Sequence, residues 1–223
     1  PEMCIRDRLE EYVRQLRRAR LDAPYLNRSF EDVLKQLRIV RDVDGVMRPT
    51  LAGLLMFGSY PQTFEPQLVI TFLHYYGTDE AEKTPRGERF LDNRKFEGPI
   101  PDMVEAAVNY VMASIRKSSL IEGLLRRDLP EYPEEAEREA VVNAIAHRDY
   151  SSYVRGSYIQ LRLFADRLEV QSPGGLYVNV TEETLEAEQS TRNRVLMRLM
   201  EDAHLVENRG SGIRAMIDAM RRL

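Results

Sequence analysis

The stretch at 139–151, Glu-Ala-Val-Val-Asn-Ala-Ile-Ala-His-Arg-Asp-Tyr-Ser, constrains this chain more than any other. At about 100° per residue, Glu139, Asn143 and His147 fall within an arc of roughly 80° on a helix, while Val141, Val142, Ile145 and Ala146 cover the opposite side. So little polar surface predicts a mostly buried helix. A buried carboxylate, carboxamide and imidazole are unfavourable unless a ligand, an ion or water satisfies them, so the strip points to a cavity. The same spacing also fits an ordinary amphipathic helix whose narrow polar side meets water.

With 223 residues, 43% of them hydrophobic, the chain can bury a core as one large or two small domains. A net charge of −4 argues against a global basic field for nucleic acid and leaves only local patches. The single Cys4 forms no internal disulfide or cysteine metal knuckle and suits a reducing, cytoplasmic compartment. No apolar run approaches the roughly 20 residues that span a bilayer, so no membrane is expected as a partner.

Along the chain, 8–20 reads as a solvated helix with Leu9, Val13 and Leu16 on one stripe. Ser29 caps a helix running to Arg38. Residues 40–47 alternate around Asp44-Gly45, the signature of a type I′ hairpin, and Thr50 caps the next helix, which stops at Gly58. This helix, hairpin and helix fit either a winged-helix-like unit that reads DNA or a helical subdomain with a β-ribbon.

Residues 67–76, rich in β-branched and aromatic side chains, read as a strand in which His74 packs or caps. Residues 78–97 read as a loop or lid, 102–117 as a helix and 128–133 as a boundary. Beyond the striped helix, 157–164 and 168–172 form a hairpin that pairs Ile159, Leu161 and Leu163 with Leu168 and Val170. The turn at 172–176, Ser-Pro-Gly-Gly-Leu, lets backbone approach closely. Thr181 starts a short helix, 188–192 reads as a mobile polar link, and 193–202 is helical. Gly210-Ser211-Gly212 opens a terminal helix, where free amides and the helix dipole favour an anion.

Glu139-x-x-x-Asn143-Ala144, a hairpin, a glycine turn and Gly210-Ser211-Gly212 occur in an order that resembles the Bergerat fold of GHKL ATPases. More narrowly, 139–151, 166–170 with 172–176, Arg192-Asn193 and Glu207 with 210–213 resemble the RecG-like C-terminal family. The resemblance covers about residues 131–220; upstream its best match is 48–58. The family is described as bacterial and archaeal transcriptional regulators or helicase-related proteins with an upstream schlafen-AlbA-type domain.

The chain is expected to be α+β: the residues read as a mainly helical N-terminal part with a hairpin over 1–60 and a connecting part over 61–130, and the resemblance implies a GHKL-like α/β sandwich with a mixed sheet over 131–223. With the upstream domain and closing strands lying outside it, the chain reads as an excised C-terminal part. The implied cofactors are ATP and Mg²⁺. Glu139 would orient or activate water and Asn143 would ligate the metal, with His147, Ser172, Gly174, Gly175, Gly210, Ser211 and Gly212 lining the nucleotide site. Two departures stand out: Ser172 occupies the place of the Asp that accepts from adenine, and Arg214 that of a third glycine.

No Gly-Lys-Ser/Thr phosphate loop exists, so the chain carries no helicase motor, and a slow ATPase is the most that activity could amount to. The expected function is a nucleotide-binding regulatory module of a bacterial transcriptional regulator, whose partners are a nucleotide, DNA through the upstream domain, and a second copy in a homodimer. The alternative is a degenerate, non-hydrolysing interaction or dimerisation module.

Overall fold

The computed structural model describes residues 5–122, 125–154, 156–178, 180–185, 190–206 and 212–222. In chain order its helices and strands are α1 (Ile5–Ala19), α2 (Phe30–Gln36), β1 (Val40–Val43), β2 (Val46–Pro49), α3 (Leu51–Phe57), β3 (Ile70–Tyr75), β4 (Phe90–Phe96) and α4 (Ile100–Ser114). They continue with β5 (Lys117–Glu122), β6 (Leu125–Pro130), α5 (Glu134–Ala146), β7 (Ile159–Leu163), β8 (Leu168–Gln171), α6 (Arg194–Asp202) and α7 (Gly212–Arg221). The fold is α+β, as expected.

Local signals set the N-terminal elements. Ser29 accepts from the Asp32 amide and Thr50 from the Gly53 amide, so both helix starts are capped by their own side chains. Asp44 and Gly45 both take positive φ, 54° and 78°, which is the backbone a type I′ turn requires. Tyr12, Val13 and Leu16 of α1 are buried and join a core that continues into α5 and α6.

The central sheet is mixed, in the order β4-β3-β7-β8, with β3 and β7 parallel and the outer pairs antiparallel. Its apolar face is made by Ile70 and Phe72 of β3 with Ile159, Leu161 and Leu163 of β7, all buried by period-2 alternation. Phe72 meets Tyr110 of α4 edge-on at 5.4 Å. Helix α5 packs beside α4 and reaches β8, which brings its polar strip to the end of the sheet.

Three expectations are corrected. Residues 78–97 are not all loop, because β4 pairs with β3 along the edge of the sheet. Its inward side is half polar: Asp92 accepts from the Tyr110 hydroxyl and the Arg94 guanidinium lies 5.0 Å over the Tyr110 ring, so the hydrophobic alternation that marks a strand is missing. The boundary at 128–133 begins inside β6, which pairs antiparallel with β5. At Thr181 the described residues make a turn rather than a helix, closed by amide-to-hydroxyl bonds of 3.0 and 3.3 Å between Thr181 and Thr184, and 186–189 lie outside the described residues.

Candidate nucleotide site

Helix α5 starts at Glu134 with three acids in its first turn, which complement the positive end of the dipole. It ends at Ala146 because the next residues are held elsewhere. Asn193 donates to the Ala146 and Arg148 carbonyls at 2.8 and 2.7 Å, satisfying acceptors that a helix end leaves open. Arg148 folds inward, 1% exposed, and Asp149 makes a tight turn by accepting from the Ser151 amide at 2.8 Å.

That loop fastens the glycine turn. The Asp149 amide donates to the Pro173 carbonyl at 2.8 Å. Arg192 pairs with the Asp149 carboxylate at 3.1 Å, donates to the Gly175 carbonyl at 2.8 Å and lies over the Tyr177 ring. Gly174 sits between these partners with φ +109°, where a Cβ would come within 2.6 Å of the Arg192 guanidinium and 2.7 Å of the Asp149 Cβ. Only glycine suits that position on both counts. Gly174→Ala is expected to lower stability by about 2 kcal/mol, read from chemical denaturation. A change below about 0.5 kcal/mol would show that the turn is not locked in this way.

Glu139, Asn143 and His147 line one cavity of about 400 Å³ together with Ser172, Gly175 and Gly212. The structure brings these residues together on one wall-lined space. Gly174 shapes the turn behind the wall rather than lining it, and Gly210, Ser211 and Glu207 lie outside the described residues. Asn143 Nδ2 donates to Glu139 Oε1 at 2.9 Å, which turns the amide oxygen away from the carboxylate. The start of α7 rests directly on this pair: a Cβ on Gly212 would strike the Glu139 carboxylate and lie 2.9 Å from Asn143 Nδ2.

The His147 residue is exposed, yet desolvation by neighbouring atoms, and then the Arg192 charge, lower its imidazole pKa and favour the neutral form. Ser172 is already engaged, since its hydroxyl donates to the Ala144 carbonyl at 2.6 Å and ties β8 to α5. Only its lone pairs face a ligand.

The apolar walls went unread in the sequence. Val170, Leu176, Tyr177, Met197, Ile213 and Met216 come from four separate segments, so no local spacing announces them. Residues 190–192, read as part of a mobile link, supply Ser190 and Thr191 to the lining and Arg192 to the lock, while 186–189 lie outside the described residues. The signal in the sequence was the Arg192-Asn193 pair, part of the family resemblance: Arg192 locks the glycine turn and Asn193 holds the end of α5.

Among the described residues no group of three or more His, Cys, Asp or Glu side chains is placed to hold a metal. A magnesium ion needs no such cage, since one or two side-chain oxygens with water and phosphate suffice. No helix among the described residues is long and apolar enough to cross a membrane.

A search of curated proteins finds no match to the chain. The crystal structure of the DIP2311 protein from Corynebacterium diphtheriae is similar in fold, with TM-score 0.64 and 22% identity over 94% of this chain and 39% of that one. The chain therefore spans about two-fifths of the length of that protein. Residues 5–68 match a model described only as a domain of unknown function. Residues 156–223, which carry β7, β8, the glycine turn, α6 and α7, match the family described as "Putative ATP-dependent DNA helicase recG C-terminal".

Proposed function

We propose that the cavity between α5, the glycine turn and α7 binds a nucleotide with Mg²⁺, and that the chain is the nucleotide-responsive module of a bacterial transcriptional regulator. The observation that carries this reading is that Glu139, Asn143 and His147 of α5 meet Gly175 and Gly212, both distant from them in sequence, on one cavity of about 400 Å³. That volume falls within the roughly 300–1,000 Å³ usual for small-molecule sites. The match of residues 156–223 supports it from the other side.

The residues fit the metal-bound group. The hydrogen bond from Nδ2 to Glu139 leaves the Asn143 amide oxygen as a hard donor for the cation, and Mg²⁺ would neutralise phosphate charge there. Glu139, held by the same bond, would orient a water against the terminal phosphate. The amides at the start of α7 would receive phosphate oxygens. The apolar walls exclude water from the base, and Ser172, its proton committed to Ala144, would accept from a ring amine. With no Gly-Lys-Ser/Thr loop in the sequence, we assign no motor activity.

Thermal melting with and without Mg-ATP tests the proposal. At about 100 times Kd, bound nucleotide adds about 2.7 kcal/mol, which is on the order of 5–10 °C for a chain of this size. Asn143→Ala should lose the Mg²⁺-dependent part of that shift with little change in the ligand-free melting temperature. Glu139→Gln should keep the shift and abolish any slow hydrolysis. A parent protein that does not respond to millimolar Mg-ATP, together with a large ligand-free destabilisation by Asn143→Ala, would reduce the strip to a structural feature.

A further inference from the structure

The β1–β2 hairpin stands clear of the core, with six of its eight residues exposed. Its register sets Arg41 directly opposite Arg48. Residues so placed have Cβ atoms only about 5 Å apart, and like charges there repel and weaken the ribbon. Neither arginine has an ion-pair partner among the described residues. Lys35 and Arg38, both exposed and just upstream, also have none among the described residues. Arg38 is set firmly at the base of the hairpin, with φ 56° and its carbonyl accepting from the Thr50 hydroxyl at 2.7 Å. The acids of the ribbon do not answer this charge: Asp42 lies on the opposite face and accepts from the Gly45 amide at 2.8 Å, and Asp44 is in the turn.

We propose that this hairpin is a phosphate-backbone contact for duplex DNA, with Arg41 and Arg48 side by side on the polyanion and Lys35 and Arg38 flanking them. A polyanion offsets the repulsion that the folded ribbon otherwise carries unrelieved. Arginine's planar fork matches phosphate oxygens two at a time, and a two-stranded ribbon is small enough to follow a groove. The occupant is nucleic acid rather than an acidic protein because the arginine face carries only Val43 and Val46 as apolar residues, without the aromatic anchors on which protein interfaces depend. Against a net charge of −4 the contact is local, weak and strongly salt-dependent. It does not rest on the nucleotide reading of the cavity.

The test is fluorescence anisotropy of a labelled mixed-sequence duplex of about 20 base pairs, titrated with the whole chain at several salt concentrations between about 50 and 200 mM. The parent should bind more weakly as salt rises. The double variant Arg41→Gln/Arg48→Gln should flatten the slope of log affinity against log salt by about 2, at about 0.9 per phosphate contact. Arg48→Glu should lose at least about tenfold in affinity while its melting temperature holds or rises, because an opposite-charge pair replaces a repelling one. The proposal is overturned if the parent does not bind at the lowest salt, if the arginine variants bind like the parent, if Arg48→Glu melts lower, or if a polyglutamate probe competes as well as the duplex.

Discussion

Glu137→Gln is expected to make the protein more stable at pH 8 by several kcal/mol while leaving it almost unchanged at pH 5. Glu137 lies in α5 with 3% exposure, and neither carboxylate oxygen has a hydrogen-bond partner among the described residues. Burial, and then the neighbouring charge of Glu134, push its pKa up from 4.5 to about 8. In the unfolded chain it ionises above about 4.5, whereas the folded protein keeps it protonated until about pH 8. Its contribution is therefore fully present below pH 4.5 and is lost as pH rises through the folded value. At about 1.4 kcal/mol per pH unit the loss over that interval is on the order of 3–5 kcal/mol, or about 10 °C in melting temperature.

Glutamine keeps the shape and removes the ionisation, so the variant's curve should be flatter between pH 5 and 8. His74, half-buried, and His147, exposed but crowded by neighbouring atoms, have pKa values that desolvation lowers, and they act in the other direction: their stabilisation is present above about 6.5 and fades as pH falls. Both histidines remain in the variant, so the difference between variant and parent isolates Glu137. Equal stability of the two proteins at pH 8 would refute the neutral, unpartnered carboxyl.

Asp202→Ala is expected to cost about 3 kcal/mol, read by urea denaturation. The Asp202 side chain is fully enclosed at the end of α6, accepting from the Tyr12 hydroxyl at 3.1 Å and pairing with Arg20. Arg198 Nε stands 4.0 Å away. Removal leaves the Tyr12 hydroxyl buried without an acceptor and takes the counter-charge from two arginines. Both arginine side chains are about two-fifths exposed, which keeps the loss below the upper range for buried pairs. Tyr12→Phe should cost about 1 kcal/mol, and the double variant less than the sum, because the two changes remove one shared bond. Additive losses would mean that Asp202 acts through the arginines alone.

The parts of the fold that sequence reveals are those with short-range causes. Ser29, Thr50 and the Asp44-Gly45 turn act within a few residues, and each does what its chemistry dictates. The polar strip of α5 was readable because helical periodicity places Glu139, Asn143 and His147 together before any tertiary contact exists. Strand β4 was hidden because its partners lie on α4, where Tyr110 makes a strand of Asp92 and Arg94. Glu137 was hidden for the converse reason. It reads as one of three acids suited to a helix start, and its burial follows from packing that spacing does not specify.

The parallel pairing of β3 with β7 bears on how this protein can be dissected. The family-matched segment at 156–223 contains β7 and β8 but neither β3 nor α5. Cut at that boundary, the segment would carry β7 as a bare edge, its amides and carbonyls from Ile159 to Leu163 stripped of their β3 partners and its apolar side uncovered. Such an edge is a template for strand addition between chains. The matched segment expressed alone should therefore self-associate, and the smallest piece that can behave as a monomer must reach back to include β3.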